Sequence, residues 1–136
     1  MANLSTYGRL YNWYAVNTGN LCPSGWHVPT DVEYTTLTDG LGGLSVAGGK
    51  MKSATSWDGT NTSGFSGLAG GYRIDNGGFN YEGNYGFFWS ASAYGANAWN
   101  RLLSGGFTEV NRYNYNQRNG FSVRCVRDPD TTPPTM

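Results

Sequence analysis

The sequence is short of charge. Lys, Arg, Asp and Glu make up 13% of its 136 residues, about half the usual share, and the charges cancel to zero. No run of Lys or Arg is present, so the sequence predicts no basic patch that would attract nucleic acid or an anionic membrane. No apolar stretch approaches the ~18 residues of a membrane span. We therefore expect neither nucleic-acid binding nor direct membrane insertion.

Residues that catalyse reactions or bind metals are also scarce. His27 is the single histidine, and a lone histidine without a catalytic constellation is expected to be structural. Zinc needs several His or Cys ligands, which one histidine and two cysteines do not supply. No Gly-x-Ser-x-Gly elbow occurs, and the paired glycines form no phosphate-binding loop. We expect no catalytic residues, no bound metal and no cofactor.

The two cysteines, Cys22 and Cys125, lie near opposite ends of the chain. They form either one long-loop disulfide, with a stabilisation of ~4–5 kcal/mol in the chain-entropy model, or two buried thiols. Residues 1–4 lack the charged and apolar regions of a signal peptide, so either an export signal was removed or the protein is not exported by that route. Residues 129–136 hold three prolines and no apolar anchor, which predicts a linker or frayed tail leading to a further domain.

Glycine and aromatic residues are abundant. The chain has 21 Gly and 15% aromatics, whereas disordered chains have few aromatics and a high net charge. This composition is typical of short strands joined by long ordered loops. The length fits one domain, which we place at residues 1–128.

The N-terminal third predicts one strand and two helices. The aromatic stretch 7–16 predicts a strand. Thr30 predicts a helix N-cap and forms a capping box with Glu33, and the helix should end near glycines 40–43. A second, short helix is expected over residues 45–53. The predicted inward side chains are Val32, Leu37 and Leu41 in the first helix and Val46, Ala47 and Met51 in the second.

Beyond residue 53 the pattern changes to short apolar segments separated by Gly, Asn and Asp. It predicts strands over residues 65–74, 87–92, 98–104, 109–113 and 121–127. In the last of these, Phe121, Val123 and Cys125 alternate with polar residues, which indicates one core face and one polar face. A strand, two helices and then several strands predict an α+β fold.

Six short motifs occur in order along the chain. They are YGRLYNWY at 7–14, CPSGWHVPT at 22–30, AGGKMK at 47–52, GGYR at 70–73, FWSAS at 88–92 and GFSVRCVRD at 120–128. Together they resemble the Fibrobacter succinogenes major paralogous domain. The resemblance implies a C-type lectin-like fold, with one or two N-terminal helices packed on short antiparallel sheets and long Gly/Asn-rich loops.

The resemblance extends to the variable proteins of diversity-generating retroelements, in which error-prone reverse transcription scrambles adenines in one stretch of the gene. Residues 94–119 look like such a stretch, because Asn, Tyr, Gly and Ser fill half of its 26 positions. The positions that match the family pattern in and around it would form a fixed frame: Trp89, Trp99, Arg101, Leu103, Val110, Arg112 and Gly120.

Tyr, Asn, Ser and Gly are also favoured in antibody paratopes, where Tyr gives rigid contact area and the others adaptable hydrogen bonds. Trp99 and Leu103 share one face of their predicted strand and are expected in the core. Asn100, Leu102 and Ser104 then face outward. An outward-facing Leu102 is explained either by a partner that covers it or by packing under a neighbouring loop. The candidate ligand-binding residues are Tyr94, Asn97, Asn100, Leu102, Ser104, Phe107, Asn111, Tyr113, Asn114, Tyr115, Asn116 and Asn119.

Calcium-dependent sugar binding, the best-known lectin activity, needs clustered oxygen ligands from Glu-Pro-Asn or Gln-Pro-Asp and Trp-Asn-Asp motifs. None of these motifs occurs, since Trp99-Asn100 is followed by Arg101. Asp75 and Glu82 are too few for a metal site and are expected to be solvated loop charges. Sugar binding by aromatic stacking without metal remains an alternative.

The first functional hypothesis is therefore a receptor-binding or adhesin module, exposed on a bacterial cell surface or a phage virion. Its diversified surface, residues 94–119 on a fixed scaffold, would bind a protein or glycan ligand on another cell or particle. It would be extracellular and part of a larger multidomain chain. The alternative is an undiversified, calcium-independent carbohydrate- or matrix-binding module of a secreted protein, and an enzyme is the third hypothesis.

Overall fold

The computed structural model describes residues 9–74 and 77–128, so the predicted tail, residues 1–4 and Asp75 lie outside the described residues. Helices and antiparallel strands together make the α+β class predicted from the sequence. None of the helices among the described residues is long and apolar enough to cross a membrane. In chain order the elements are α1 (Trp13–Asn17), β1 (Trp26–His27), α2 (Asp31–Gly40), α3 (Leu44–Met51), β2 (Tyr72–Arg73), β3 (Phe79–Asn80), β4 (Tyr85–Tyr94), β5 (Asn97–Ser104), β6 (Val110–Asn116) and β7 (Val126–Arg127).

The central element is a three-stranded antiparallel sheet with β5 between β4 and β6. In its register Leu102 pairs with Phe87 on one side and with Asn111 on the other. Because side chains alternate along a strand, these three define one face of the sheet, here called the groove face. The opposite face, here called the helix face, carries Leu103 and its partner Val110. The pairs β1–β7 and β2–β3 form two separate small sheets.

Helices α2 and α3 pack on the helix face. The core between them and the sheet consists of buried Tyr34, Ala47, Met51, Phe88, Leu103 and Val110. Gly48 permits this packing, because a Cβ atom there would collide with the backbone carbonyl of Glu109. A glycine that weakens the isolated helix therefore lets α3 approach β6 closely.

The predicted capping box of α2 is confirmed. The Thr30 hydroxyl accepts a hydrogen bond from the Glu33 amide at 3.1 Å, and the Glu33 carboxylate accepts one from the Thr30 amide at 2.9 Å. The helix ends at Gly40, as expected. The inward position of Val32 was wrong, since this side chain is 73% exposed. Tyr34 is buried instead, two residues or about 200° around the helix from Val32.

Helix α3 confirms the second predicted helix, and Ala47 and Met51 are buried as expected. Val46 was expected inward and is 41% exposed. It precedes Ala47 by one residue, about 100° around the helix, and so turns away from the core that Ala47 enters.

A helix replaces the second half of the first predicted strand, whereas Tyr11, before this helix, pairs with Phe121 in a single antiparallel bridge. The Asn12 side chain accepts a hydrogen bond from the Ala15 amide at 3.0 Å and begins α1. Trp13 and Val16, three residues apart, are both buried on one side of this helix. The aromatic composition predicted a strand, but the spacing of the two buried residues is helical.

Two other predicted strands are largely irregular. Within residues 65–74 the regular strand is confined to Tyr72–Arg73, and within 121–127 to Val126–Arg127. Phe121 is buried, but Val123 and Cys125 are only partly so. Arg124 also turns inward, donates to the Ser66 carbonyl and lies over the Phe65 ring. The expected alternation of core and solvent is therefore absent there.

Cys22 and Cys125 form a disulfide across 103 residues, which decides between the two alternatives for the cysteines. The bond joins the start and end of the domain, close to where β1 pairs with β7. A second core covers part of the groove face and consists of Trp13, Val16, Val28, Phe87, Trp89, Ala98 and Phe121. The rest of the groove face is left open.

Candidate functional site: an aromatic groove

The open part of the groove face forms a groove with a volume of about 830 Å³. Strands β4, β5 and β6 contribute Phe87, Leu102 and Tyr113 to it, and the β2–β3 region contributes Tyr72 and Tyr81. The remaining lining residues are Ile74, Tyr85, Ser104, Phe107, Glu109, Asn111, Tyr115, Asn116, Asn119 and Phe121.

Aromatic rings form a continuous network along the groove. Phe87 stacks on Phe121 with ring centroids 5.0 Å apart, and it contacts Tyr72 at 5.1 Å and Tyr115 at 6.0 Å. Tyr113 extends the network from Tyr115 at 5.6 Å. Aromatic pairs at these separations add to stability beyond the area they bury. The rings are therefore held in place before any ligand arrives.

Neutral polar groups and one carboxylate complete the lining. Hydroxyl and amide groups come from Ser104, Asn111, Asn116 and Asn119, and the carboxylate from Glu109. Burial raises the pKa of Tyr115, and the neighbouring phenols of Tyr113 and Tyr72 raise it further. The Tyr115 phenol therefore stays neutral at physiological pH, where it can donate and accept a hydrogen bond.

A buried lysine fixes one end of the groove. The Lys52 ammonium donates to the carbonyls of Ser104 at 2.8 Å and Phe107 at 2.7 Å, and it pairs with Asp58 at 2.7 Å. Because these carbonyls belong to the β5–β6 connection, Lys52 fixes the backbone that carries the Phe107 ring.

Most of the residues predicted from the sequence to bind a ligand line this groove. β6 supplies Asn111, Tyr113 and Tyr115 to one face because they alternate along the strand. Their role in binding stays a prediction, but the structure does bring these side chains together. The predicted residues in the lining are Leu102, Ser104, Phe107, Asn111, Tyr113, Tyr115, Asn116 and Asn119.

The other predicted residues lie elsewhere. Tyr94 is exposed and packs on the ring of Trp99, with centroids 5.0 Å apart, away from the groove. Asn97 and Asn114 share the helix face with Trp99, and the Asn97 amide donates to the Asn114 carbonyl oxygen at 2.8 Å. Residues 94–119 therefore do not form one continuous surface.

The expected orientation of β5 was partly wrong. Asn100 is 0% exposed and Ser104 only 7%, although both were expected to face outward. Leu103 is in the core as expected, but Trp99 is only half-buried, with the Arg112 guanidinium 3.7 Å from its ring centroid. β5 is the middle strand, and around Asn100 the second core covers the groove face of the sheet, so alternation does not separate core from solvent there. Leu102 is partly buried in the groove and packs against the second core.

The frame residues are held by packing and ion pairs. Arg101 is 1% exposed and donates to the Asp31 carboxylate at 2.7 Å, and Arg112 donates to the same carboxylate at 2.6 Å. Burial would raise the pKa of Asp31, but the hydrogen bonds from Arg112 and Arg101 outweigh it and lower the pKa. The first residue of α2 is thus tied to β5 and β6.

The model of one protein family, the Fibrobacter succinogenes major domain, matches residues 1–127. The chain belongs to this family. No curated protein and no solved structure matches it. The whole groove and the disulfide lie within the matched residues.

The residues on one side of the groove were not predicted from the sequence. Except for Glu109, the missed lining residues lie outside residues 94–119, the stretch whose composition indicated ligand binding. Aromatic residues recur through 72–87, and this signal could have pointed to a second contributing segment. The missed residues are Tyr72, Ile74, Tyr81, Tyr85, Phe87 and Phe121, with Glu109 inside the stretch.

His27 has two acidic partners. Its Nδ1 lies 2.6 Å from Asp128 Oδ1 and its Nε2 lies 2.8 Å from Glu33 Oε2. The hydrogen bond to Asp128, and then that to Glu33, raises the pKa of His27. This contact joins β1, α2 and the residue after β7, which fits a structural role. Over residues 9–74 and 77–128 no three His, Cys, Asp or Glu side chains group as metal ligands.

Proposed function

We propose that the chain is a ligand-binding module that receives part of another protein in the aromatic groove. The observation that supports the proposal most strongly is that the predicted binding residues meet in one place. Residues from β5, β6 and their connection, chosen from the sequence for paratope-like chemistry, meet in one groove of about 830 Å³. Concave, aromatic-lined sites with a few polar groups are typical of ligand binding. Tyrosine in such a site offers contact area at a low entropic cost.

The fold that we propose is C-type lectin-like. Support comes from two N-terminal helices packed on a small antiparallel sheet and from the long stretches without regular structure. The β1–β7 pair and the disulfide join the two ends of this architecture.

We further propose that the groove positions vary through a diversity-generating retroelement while the frame stays fixed. Exposure supports this: Phe107, Tyr113 and Tyr115 are exposed, whereas Arg101, Leu103 and Val110 are buried. Exposed side chains can change at little cost in stability, and buried ones cannot. A reverse transcriptase gene beside this locus, with a near-copy of codons 94–119 that differs only at adenines, is the expected genomic signature.

The proposed location is extracellular, on a bacterial cell surface or a phage virion, within a larger multidomain chain. The disulfide supports export, since such bonds persist in oxidising compartments. We propose binding without catalysis. The one histidine, whose two ring nitrogens already contact carboxylates, is poorly placed to act as a general base.

A second candidate is calcium-independent binding of a carbohydrate. The specific observation is the combination in the groove of exposed tyrosine rings, on which sugar rings can stack, with asparagine amides. The ligand would then be a glycan of another cell or of the extracellular matrix.

One screen tests both candidates. The purified domain is exposed to a displayed library of random peptides and to a glycan array, and every hit is measured again with a groove variant. Tyr113→Ser is the groove variant, because its side chain is 40% exposed. Tyr14→Ser is the matched control, since Tyr14 is 53% exposed and does not line the groove.

Loss of binding in Tyr113→Ser but not in Tyr14→Ser is the expected result, for peptides under the first candidate and for glycans alone under the second. Hits that bind both variants like the wild type would refute groove binding, provided that both variants keep the wild-type melting temperature.

A further inference from the structure

The groove differs in charge from an ordinary polar cleft. No Lys, Arg or His occurs among its described lining residues, and its one charged group is the Glu109 carboxylate. Glu109 is exposed, and the ion pairs of the described residues use other acids, namely Asp31, Glu33, Asp58 and Asp128. Arg118 lies between two rim asparagines in the sequence but is exposed and outside the lining.

The groove rings also lack the cations that accompany aromatic rings elsewhere in the molecule. Arg112 lies over Trp99, Arg124 over Phe65 and Arg127 over Trp26. The other such pairs place Lys52 over Trp57, Arg73 over Phe79 and Arg101 over Tyr34. None of these pairs, which cover the described residues, uses a ring that lines the groove. Phe87 and Phe121 stack on each other, as do Tyr72 and Tyr81, so the exposed rings of Tyr113 and Tyr115 are the ones left for a cation from outside.

We propose that the groove recognises an arginine or lysine side chain of the protein ligand, with Glu109 as its counter-ion and the exposed rings of Tyr113 and Tyr115 as its aromatic contacts. This rests on the proposed function, of which it specifies the ligand chemistry. A guanidinium offers five donors and a flat face, which match phenol oxygens, a carboxylate and aromatic rings together. The neutral amides of Asn111 and Asn116 would bind the adjoining peptide groups.

Two small probes that differ in charge but hardly in shape test this inference. They are acetyl-arginine amide and the neutral acetyl-citrulline amide. Each is titrated into the whole domain carrying ¹³C-labelled tyrosine rings, and affinity is read from the ring signals of Tyr113 and Tyr115. We expect the arginine probe to bind about fivefold more tightly than the citrulline probe, as a partly exposed cation–π contact with a counter-ion predicts.

Glu109→Gln should bring the two affinities within about twofold of each other, because the counter-ion is lost. Asp39→Asn is the control: it removes the same charge from an exposed residue of α2, outside the groove, and should keep the preference. Equal binding of both probes, a preference that survives in Glu109→Gln, or no movement of the tyrosine signals with either probe would each overturn the proposal. The proposed groove binding itself is contradicted only if the hits of the library screen bind Tyr113→Ser as tightly as the wild type.

Discussion

Lys52 shows how a single side chain can determine the shape of the groove. It is 2% exposed, and its ammonium has three oxygen partners, two of them carbonyls of the β5–β6 connection. A buried charge of this kind is tolerated only when its partners replace the lost water. Removing the ammonium leaves those carbonyls without a donor and frees the backbone that carries Phe107.

We therefore predict that Lys52→Met, which keeps the length of the stem, lowers the free energy of unfolding by about 2–4 kcal/mol. Urea denaturation measures the loss. Lys50→Met is the control, because the Lys50 ammonium makes one hydrogen bond, to the Leu41 carbonyl, and should lose about 1 kcal/mol. Equal losses in the two variants would show that the Lys52 contacts contribute nothing special.

The tryptophans provide a second prediction at this scale. Trp89 is 0% exposed, and its indole N–H donates to the Tyr11 carbonyl at 2.7 Å, whereas Trp99 is only half-buried. Trp89→Ala should therefore lower the free energy of unfolding by about 3–5 kcal/mol. Trp99→Ala should cost clearly less, although the sequence predicted this side chain in the core. Thermal and urea unfolding rank the two, and the reverse order would be incompatible with the observed burial.

At the scale of elements, the contact of His27 with Glu33 and Asp128 makes the junction of β1, α2 and β7 sensitive to pH. The pKa of His27 is raised above 6.5, so the protonated form favours the folded state. This contribution is complete below pH 6.5 and disappears as the pH rises through the raised folded-state pKa. The pKa of Glu33 is lowered, against the effect of burial, by the Thr30 amide and by His27, so Glu33 stays charged over this range.

The wild type should accordingly lose a few degrees of melting temperature between about pH 6 and about pH 9, and His27→Gln should lose less. Thermal unfolding followed across this range checks the difference. Parallel curves for the two proteins would mean that the histidine contact does not contribute to stability.

The elements differ in how far the sequence could predict them. Helix α2 depends on a local signal, because Thr30 and Glu33 determine its start within one turn, and it was predicted correctly. The position of Asn100 was predicted wrongly because it depends on β5 being the middle strand, which neighbours distant in sequence decide. Tyr113 and Tyr115 were predicted as ligand-binding residues from the composition of residues 94–119, and the alternation along β6 places both in the groove. The recurrence of aromatic residues through 72–87 marks that segment, but the place of Tyr72 in the groove depends on packing against Phe87 and Phe121, which are distant in sequence.

For the whole molecule, the disulfide closes about three quarters of the chain into one loop. Cys22 and Cys125 are 103 residues apart, and in the chain-entropy model closing such a loop stabilises the fold by about 4–5 kcal/mol. Reduction, or the double variant Cys22→Ala with Cys125→Ala, should lower the free energy of unfolding by up to about that amount. Denaturation with and without reductant measures it. An unchanged midpoint would show that the helices and sheets hold both ends without the bond.

The whole molecule also shows a division between a rigid frame and those exposed groove residues of β6 and the β5–β6 connection that belong to neither buried core. The frame includes Arg101 with its partner Asp31, buried Leu103 and the disulfide. Tyr113 and Asn111 line the groove on the edge strand β6, where a changed side chain leaves the buried cores intact. This division allows a binding surface to change without loss of the fold.

Saturation mutagenesis of residues 94–119, with resistance of the displayed domain to protease as the measure of folding, tests this division most directly. We predict that Phe107, Asn111, Tyr113 and Asn119 accept most substitutions, and that Asn100, Arg101, Leu103 and Val110 accept few. If the groove positions prove as intolerant of substitution as the buried ones, the groove is part of the folding core and is not a surface free to vary.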